Sequence, residues 1–453
     1  MTPRYDPNDG LSQLTELMRD ERVIETRRES EPVEPEVHRR RGRRRLVTGG
    51  IVTVLVLGFA ASYVGWALNA PVGTADAVAE VPDAAPGPAA EIRLSPEGAS
   101  AISVAGADDY LGPDASGIWA SEGGSKPRPI ASLTKLITAM VVLSAKPLKN
   151  ADSEGPTITF GKADHALYDE YYVLGATIAS MPTGISMSEH DALETMLVPS
   201  ASNYAEAVAG WAFGSQSGFI AAAKGWLNDK GLTHTTIVEP TGIDGRNTST
   251  PGDLIKLAKL AMDKPAIAQI VAMPRLDVEG LPAMPNTNDL LGSSGIVGLK
   301  TGTLKESGSD LLFSANLDVG TPDPVTVTGV VLGGFTHSSV NADVSDLLAS
   351  IAEGFHDVPV SQEGLEVGTY STPWGETAHM VLGESASVFT WSDTAITAEM
   401  QTTTLTTGAK GEQVGSVTWT AGPNSVTVPV VLDGTINPPS QWWRLTHPFE
   451  LGG

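Results

Sequence analysis

Residues 46–68 form an unbroken run of 23 residues without a single charge. As a helix it would extend for roughly 34 Å, enough to cross the hydrocarbon core of a bilayer. Six arginines (Arg39, Arg40, Arg41, Arg43, Arg44 and Arg45) stand immediately before it, and Tyr63 and Trp66 stand near its far end. Arginines on one flank and aromatic residues on the other are the marks of a membrane-spanning helix with a cytoplasmic N-terminus. The body of the chain is therefore expected outside the cytoplasm. Two other readings compete. A buried core helix has the same hydropathy, and a cleavable signal would use the small-x-small patterns Ala75-Asp76-Ala77 or Ala77-Val78-Ala79. The run is longer than a usual signal core, which favours an uncleaved anchor.

This segment divides the chain. Residues 1–45 hold 11 Arg, no Lys and 10 acidic residues, with Glu31-Pro32 and Glu34-Pro35 repeats, and are expected to be a disordered cytoplasmic tail. Residues 69–92 are rich in Ala, Pro and Gly and read as a semi-extended linker. From residue 93 to about 358, helical and strand patterns mix. A first strand is expected over 99–105, a helix over 132–146, two helical stretches within 189–209, and strands over 297–301, 309–315 and 325–333. Thr250-Pro251-Gly252-Asp253 has the chemistry of a helix start, with a capping hydroxyl, Pro in the first turn and an acid behind it. Residues 359–453 change character: Thr, Val and Gly dominate. Short alternating runs at 397–405, 414–419 and 425–432 predict a separate β-rich domain.

Beyond residue 45, 18 basic residues face 43 acidic ones. So acidic a body argues against nucleic-acid partners. There is no Cys, which excludes disulfides and thiolate catalysis, and the eight His form neither an HxH nor an HExxH pair. Neither a metal nor another cofactor is expected.

Three short segments carry chemistry. In Ser132-Leu133-Thr134-Lys135, positions i and i+3 of a helix put an amine beside a hydroxyl. A serine is a poor nucleophile until a base takes its proton. A lysine serves as that base when burial or a neighbouring cation lowers its pKa. The free N–H groups of the helix start can hold a developing oxyanion. Lys300-Thr301-Gly302-Thr303 reads as a strand edge. Gly302 permits close backbone approach, Lys300 is a compact cation for a carboxylate and for tuning Lys135, and the Thr303 N–H is a second oxyanion donor. A substrate peptide can add to such an edge as a strand. Between them stands Ser200-Ala201-Ser202-Asn203, where Ser200 could relay a proton to the leaving group. No GxSxG elbow, Walker A loop or dinucleotide fingerprint is present.

Pro129-Ile130-Ala131-Ser132-Leu133-Thr134-Lys135-Leu136-Ile137-Thr138-Ala139 resembles the nucleophile segment of the penicillin-binding D-alanyl-D-alanine carboxypeptidases. Leu197-Val198-Pro199-Ser200, Pro240-Thr241-Gly242-Ile243-Asp244, Thr250-Pro251-Gly252-Asp253-Leu254 and Asn286-Thr287-Asn288 resemble further stretches of the family, in the same order. So does Gly295-Ile296-Val297-Gly298-Leu299-Lys300-Thr301-Gly302. The resemblance covers about residues 95–355. It implies an α/β (α+β) fold, an antiparallel sheet flanked by helices plus a helical subdomain, with the small β-rich domain as an accessory. It implies peptidoglycan stem peptides ending in D-Ala-D-Ala as substrate and β-lactams as inhibitors. Ser132 would then be the nucleophile, Lys135 the general base and Ser200 the proton relay. Lys300, Thr301, Gly302 and Thr303 would hold the substrate, with Ser202 and Asn203.

One position departs from the family's Ser-x-Asn pattern: Ser202 stands where Asn is expected, and Asn203 follows one residue later. A one-residue shift could bring Asn203 into the site, or the amide contact could be lost. Two other readings stay open at this point. A β-lactamase shares the motif set and needs a deacylating Glu, for which Glu239 is the candidate. A non-catalytic wall-binding protein could keep the fold without turnover. The C-terminal stretch 441–447 does not read as an amphipathic anchor helix, which leaves anchoring to residues 46–68.

Overall fold

The computed structural model describes residues 37–305 and 307–452. They divide into two compact units, residues 37–73 with 439–452, and Thr74–Pro438.

The first unit is built on one 33-residue helix, Val37–Asn69. Its segment Leu46–Asn69 has a mean hydropathy of 2.0 and is long and apolar enough to cross a membrane. Leu46, Val54, Leu55, Leu57 and Phe59 are all exposed, so this is not a core helix of the described protein. The helix starts at Val37 and therefore takes in residues 37–45, which the sequence places in the tail. Arginine is a good helix former and needs little more than an established helix to extend. Residues 1–36, where disorder is expected, lie outside the described residues.

A second difference lies at the other end of the chain. Residues 439–452 do not continue the β-rich domain but return to the foot of this helix. They form the short helix Gln441–Thr446, capped by Ser440 Oγ, which accepts from Trp443 N. Tyr63 Oη donates to the Leu445 carbonyl at 2.7 Å, and Arg444 donates to the Ala70 carbonyl at 2.7 Å. The last carbonyls of a helix have no partner within it, and a cation there also meets the negative end of the helix dipole. Leu451 is buried with Ala67 and Ala70.

In the second unit a five-stranded antiparallel sheet runs in the order Ile296–Leu304, Gly308–Leu317, Val325–Gly334, Ala99–Ala105, Ala120–Glu122. The middle strands are buried on both faces, and alternate residues serve different cores. Leu311, Phe313 and Ala315 pack with Val340, Val344, Leu347 and Ile351 of the helix His337–Glu353. Leu312 and Val330 face the opposite way, into the helical subdomain. At the centre of that subdomain lies Thr134–Ala145, buried along every residue from Thr134 to Leu143. A helix that is apolar all round must be enclosed. Around it stand Glu189–Leu197, Ser202–Phe213, Gln216–Asp229 and Pro251–Met262. The expected start of the last is present: Thr250 Oγ1 accepts from Asp253 N at 3.2 Å and Pro251 is the first helical residue.

The β-rich part holds a six-stranded sheet around Tyr370, Met380, Trp419, Val428 and Val430. Its edge strand, Asp76–Ala79, comes from the stretch read as a linker and pairs with Glu366–Ser371. The four residues are all exposed, so backbone pairing, not side-chain burial, holds them there. The part built on the five-stranded sheet and the β-rich part meet through an aromatic cluster in which the Phe355 and Trp391 ring centroids lie 4.7 Å apart.

Candidate active site

Ser132 sits in a one-turn 3-10 segment, Ala131–Leu133, that feeds directly into the helix Thr134–Ala145. The preceding Ala131 has φ 44°, a left-handed conformation that costs a residue with a Cβ about 1 kcal/mol or more. Two glycines make room for this elbow. A Cβ on Gly242 would lie 1.8 Å from the Ala131 carbonyl oxygen, and one on Gly302 would lie 3.0 Å from Ala131 Cβ. The second of these brings the strand edge against the serine turn.

Lys135 is 1 % exposed. Its Nζ donates to Ser132 Oγ at 2.9 Å and to the Thr241 carbonyl at 2.9 Å. Burial brings its pKa down to about 7, while the charge of Glu239 pulls the other way. Burial is the leading cause of this tuning, and the Lys300 amine is its electrostatic neighbour. Lys300 is likewise held well below the usual lysine range, by burial first and by Lys135 second.

Lys300 lies on the free edge of Ile296–Leu304, since that strand pairs on one side only, with Gly308–Leu317. Its Nζ reaches Thr287 Oγ1 at 3.3 Å, and Thr301 Oγ1 donates to the same hydroxyl at 2.6 Å. Thr303 carries its hydroxyl 2.5 Å from His337 Nε2. Ser200, with φ 65°, and Ser202 approach from the helical subdomain. Together Ser132, Lys135, Ser200, Ser202, Thr301, Gly302, Thr303 and His337 line one cleft of about 610 Å³.

Asn203, expected among the substrate contacts, is not in the cleft. The helix Ser202–Phe213 starts at Ser202, and one residue of helical turn points Asn203 into the interior. Its side chain is fully buried: Oδ1 accepts from Ala179 N at 3.1 Å and Nδ2 donates to the Ala179 carbonyl at 2.8 Å. Ser202 N donates to the Thr177 carbonyl at 2.8 Å and Tyr204 Oη to that of Ser180 at 2.9 Å. Three consecutive residues thus pin the segment 177–180, which continues the cleft wall formed by Leu174, Gly175, Ala176 and Thr177.

Glu239 is also outside the cleft. Its carboxylate accepts from the N–H groups of Thr241 at 2.6 Å, Gly242 at 2.6 Å and Asp244 at 3.3 Å, and from Asn247 Nδ2 at 2.7 Å. These bonds shape the turn that presents the Thr241 carbonyl to Lys135. Thr241, Thr287 and His337 carry site geometry that the sequence reading did not assign. The first two stand inside segments that signalled family resemblance. For His337 no local pattern exists. Among the described residues one trio, His190, Asp191 and Glu194, could offer ligands to a metal. His190 Nδ1 already pairs with Glu194 at 3.1 Å, and Asp191 forms a helix cap with Ser188.

A family model described as D-alanyl-D-alanine carboxypeptidase matches residues 114–336. Over 213 residues the chain is 32 % identical to the D-alanyl-D-alanine carboxypeptidase DacC of Escherichia coli, covering 46 % of this chain and 50 % of that one. Over 226 residues it is 28 % identical to the D-alanyl-D-alanine endopeptidase of Pseudomonas aeruginosa, covering 48 % and 68 %. The chain thus matches about half the length of the first relative and two thirds of the second. In fold it is similar to penicillin binding protein 6B from Escherichia coli, with a TM-score of 0.51 at 21 % identity, covering 75 % of this chain and 95 % of that one. Penicillin binding protein 5 from Haemophilus influenzae gives a TM-score of 0.50 at 18 % identity, covering 76 % and 98 %. The fold is that of the penicillin-binding proteins. Within that class, residues 114–336 are similar to the D-alanyl-D-alanine carboxypeptidases.

Proposed function

We propose that this protein is a membrane-anchored serine D-alanyl-D-alanine carboxypeptidase that removes the terminal D-Ala from peptidoglycan stem peptides. The single observation that carries the reading is the 2.9 Å contact between Ser132 Oγ and a fully buried Lys135 amine. With its pKa near 7, that amine is neutral often enough to act as a base. Lys135 takes the Ser132 proton as Oγ attacks the penultimate D-Ala carbonyl. The oxyanion forms against backbone N–H groups at Ser132 and Thr303. Collapse breaks the peptide bond, and the departing D-Ala amine receives its proton by way of Ser200. Water then clears the acyl group from Ser132, restoring the hydroxyl. The terminal carboxylate docks at Thr301 and Thr303, with the Lys300 amine behind them supplying positive charge.

Ser202 lines the cleft with a hydroxyl where an amide is expected, and a hydroxyl reaches less far toward a substrate backbone than an amide does. The β-lactamase alternative needs a carboxylate that activates water in the cleft. Glu239 is taken up by four donors elsewhere, which speaks against that reading. Arginines before residue 46 favour a cytoplasmic N-terminus, with Thr74–Pro438 on the outer side.

Intact-protein mass after incubation with benzylpenicillin tests the assignment. One stable adduct on the native chain, absent from Ser132→Ala, together with release of D-Ala from an N-acylated D-Ala-D-Ala peptide, is the expected result. No adduct and no D-Ala release would sink it in favour of a binding protein. Rapid penicillin hydrolysis dependent on Ser132 would favour a β-lactamase.

A further inference from the structure

His337 begins the helix His337–Glu353 and lines the cleft together with Thr301, Gly302 and Thr303. Its Nε2 lies 2.5 Å from Thr303 Oγ1, and the ring is half-buried in the cleft wall. An imidazole placed there has more to do than hold one hydroxyl. We propose that His337 is a specificity-determining residue that binds the substrate's terminal carboxylate as an imidazolium, taking up a proton from solvent as the carboxylate docks. The inference rests on the carboxypeptidase reading and assigns that site its selectivity for a free C-terminus.

The charges around the ring set its state. Burial and the Lys300 ammonium hold His337 below the ordinary histidine range, and Asp289 opposes them in part. Lys305, from the turn after the strand, lines the same cleft and adds positive charge. On the other side of the helix start, Glu97 accepts from Phe335 N at 2.7 Å and Ser339 Oγ at 3.1 Å. The imidazole of the empty site is therefore neutral at neutral pH, with Thr303 as its hydrogen-bond partner. A carboxylate arriving in this partly desolvated pocket is an opposite charge at short range. It stabilises the imidazolium and raises the imidazole pKa. Affinity for the acid must then fall as pH rises through the interval between the free and bound values. A substrate ending in a neutral amide brings no such charge and shows no such fall.

The test uses the full chain in detergent carrying Ser132→Ala, so that binding is read without turnover. Calorimetric titration with N-acetyl-D-Ala-D-Ala and with its C-terminal amide, in buffers of different ionisation heat, reports proton uptake directly. The expected result is uptake approaching about one proton for the acid at some pH between about 5 and 8, and none for the amide. Affinity for the acid should fall roughly tenfold for each unit by which binding shifts the imidazole. Adding His337→Gln, which keeps a hydrogen-bonding partner for Thr303, should abolish the uptake and flatten the pH dependence. Acid binding without uptake, uptake that survives His337→Gln, or equal uptake with the amide would each overturn the proposal. The wild-type comparison of acid with amide needs no folded variant at position 337. If the acid does not bind and penicillin does not acylate the native chain, the carboxypeptidase reading itself has failed. If penicillin acylates and the acid binds without uptake, only the role of His337 has failed.

Discussion

Gly302 lies directly opposite Asp310 across the antiparallel pair that forms the edge of the cleft. The Asp310 carboxyl is fully buried behind it. Oδ1 accepts from Gly333 N at 2.8 Å, whereas Oδ2 has no partner. Burial pushes the Asp310 carboxyl up to about 8. In the unfolded chain the group titrates near 4, so the folded state holds an extra proton between the two values. Its contribution to stability is fully present below about pH 4 and is lost as pH rises through about 8. Asp310→Asn removes the titration. Its melting temperature should exceed that of the native chain at pH 8 by at least about 2–4 °C, with the gap closing in acid. Thermal unfolding at several pH values checks this, and a gap that is constant or reversed refutes it.

Lys135 should dominate the pH profile of acylation. Only its neutral form can accept the Ser132 proton, and that fraction grows as pH rises through about 7. The second-order rate of penicillin acylation should therefore climb on the acid side with a midpoint near 7. Lys135→Ala should reduce it about 10²–10⁴-fold. A flat profile over that range would remove lysine from the role.

Positions 202 and 203 make opposite predictions although they are adjacent. Ser202→Asn restores an amide to the cleft and should raise turnover of a D-Ala-D-Ala peptide roughly five- to tenfold, the worth of about one hydrogen bond. Asn203→Ala leaves Ala179 N and O unpaired in the interior and should cost about 1–3 kcal/mol of stability. Denaturant unfolding and steady-state kinetics on the two variants separate the effects. An Asn203→Ala protein of native stability would contradict the buried assignment.

Glu239→Gln places an NH2 group among N–H donors that need an acceptor. The turn that holds the Thr241 carbonyl against Lys135 should loosen, and penicillin acylation should slow by about tenfold or more. The lifetime of the penicilloyl-enzyme should not lengthen selectively. Mass spectrometry after drug removal measures that lifetime, and a marked selective lengthening would restore Glu239 as a deacylating base.

What could be read from the chain follows from how local each signal is. The strands Gly308–Leu317 and Val325–Gly334 and the cap at Thr250 are written in consecutive residues, and they stand where the pattern puts them. Ser132 and Lys135 sit three apart, so one turn suffices to join them. The phase of Ser202 and Asn203 depends on the residue at which a helix starts, which no short pattern specifies. His337 reaches Thr303 across 34 residues and two strands of a folded sheet. The strand Asp76–Ala79 and the helix Gln441–Thr446 are four and six residues long, too short for periodicity to mark. Both exist because distant backbone and side-chain partners complete them.

Under the proposed anchoring by residues 46–68, the return of residues 439–452 to the foot of the long helix bears on shedding from a membrane. Thr74–Pro438 is an insertion within the other unit, leashed by chain at both ends. A protease that cuts only the first leash leaves Thr74–Pro438 held through residues 439–452 by the contacts of Tyr63 and Arg444. Release into the medium then requires either a second cut or the loss of those few contacts. The anchorage is thus redundant, and its weaker strand is one that mild detergent or heat could undo without breaking a covalent bond.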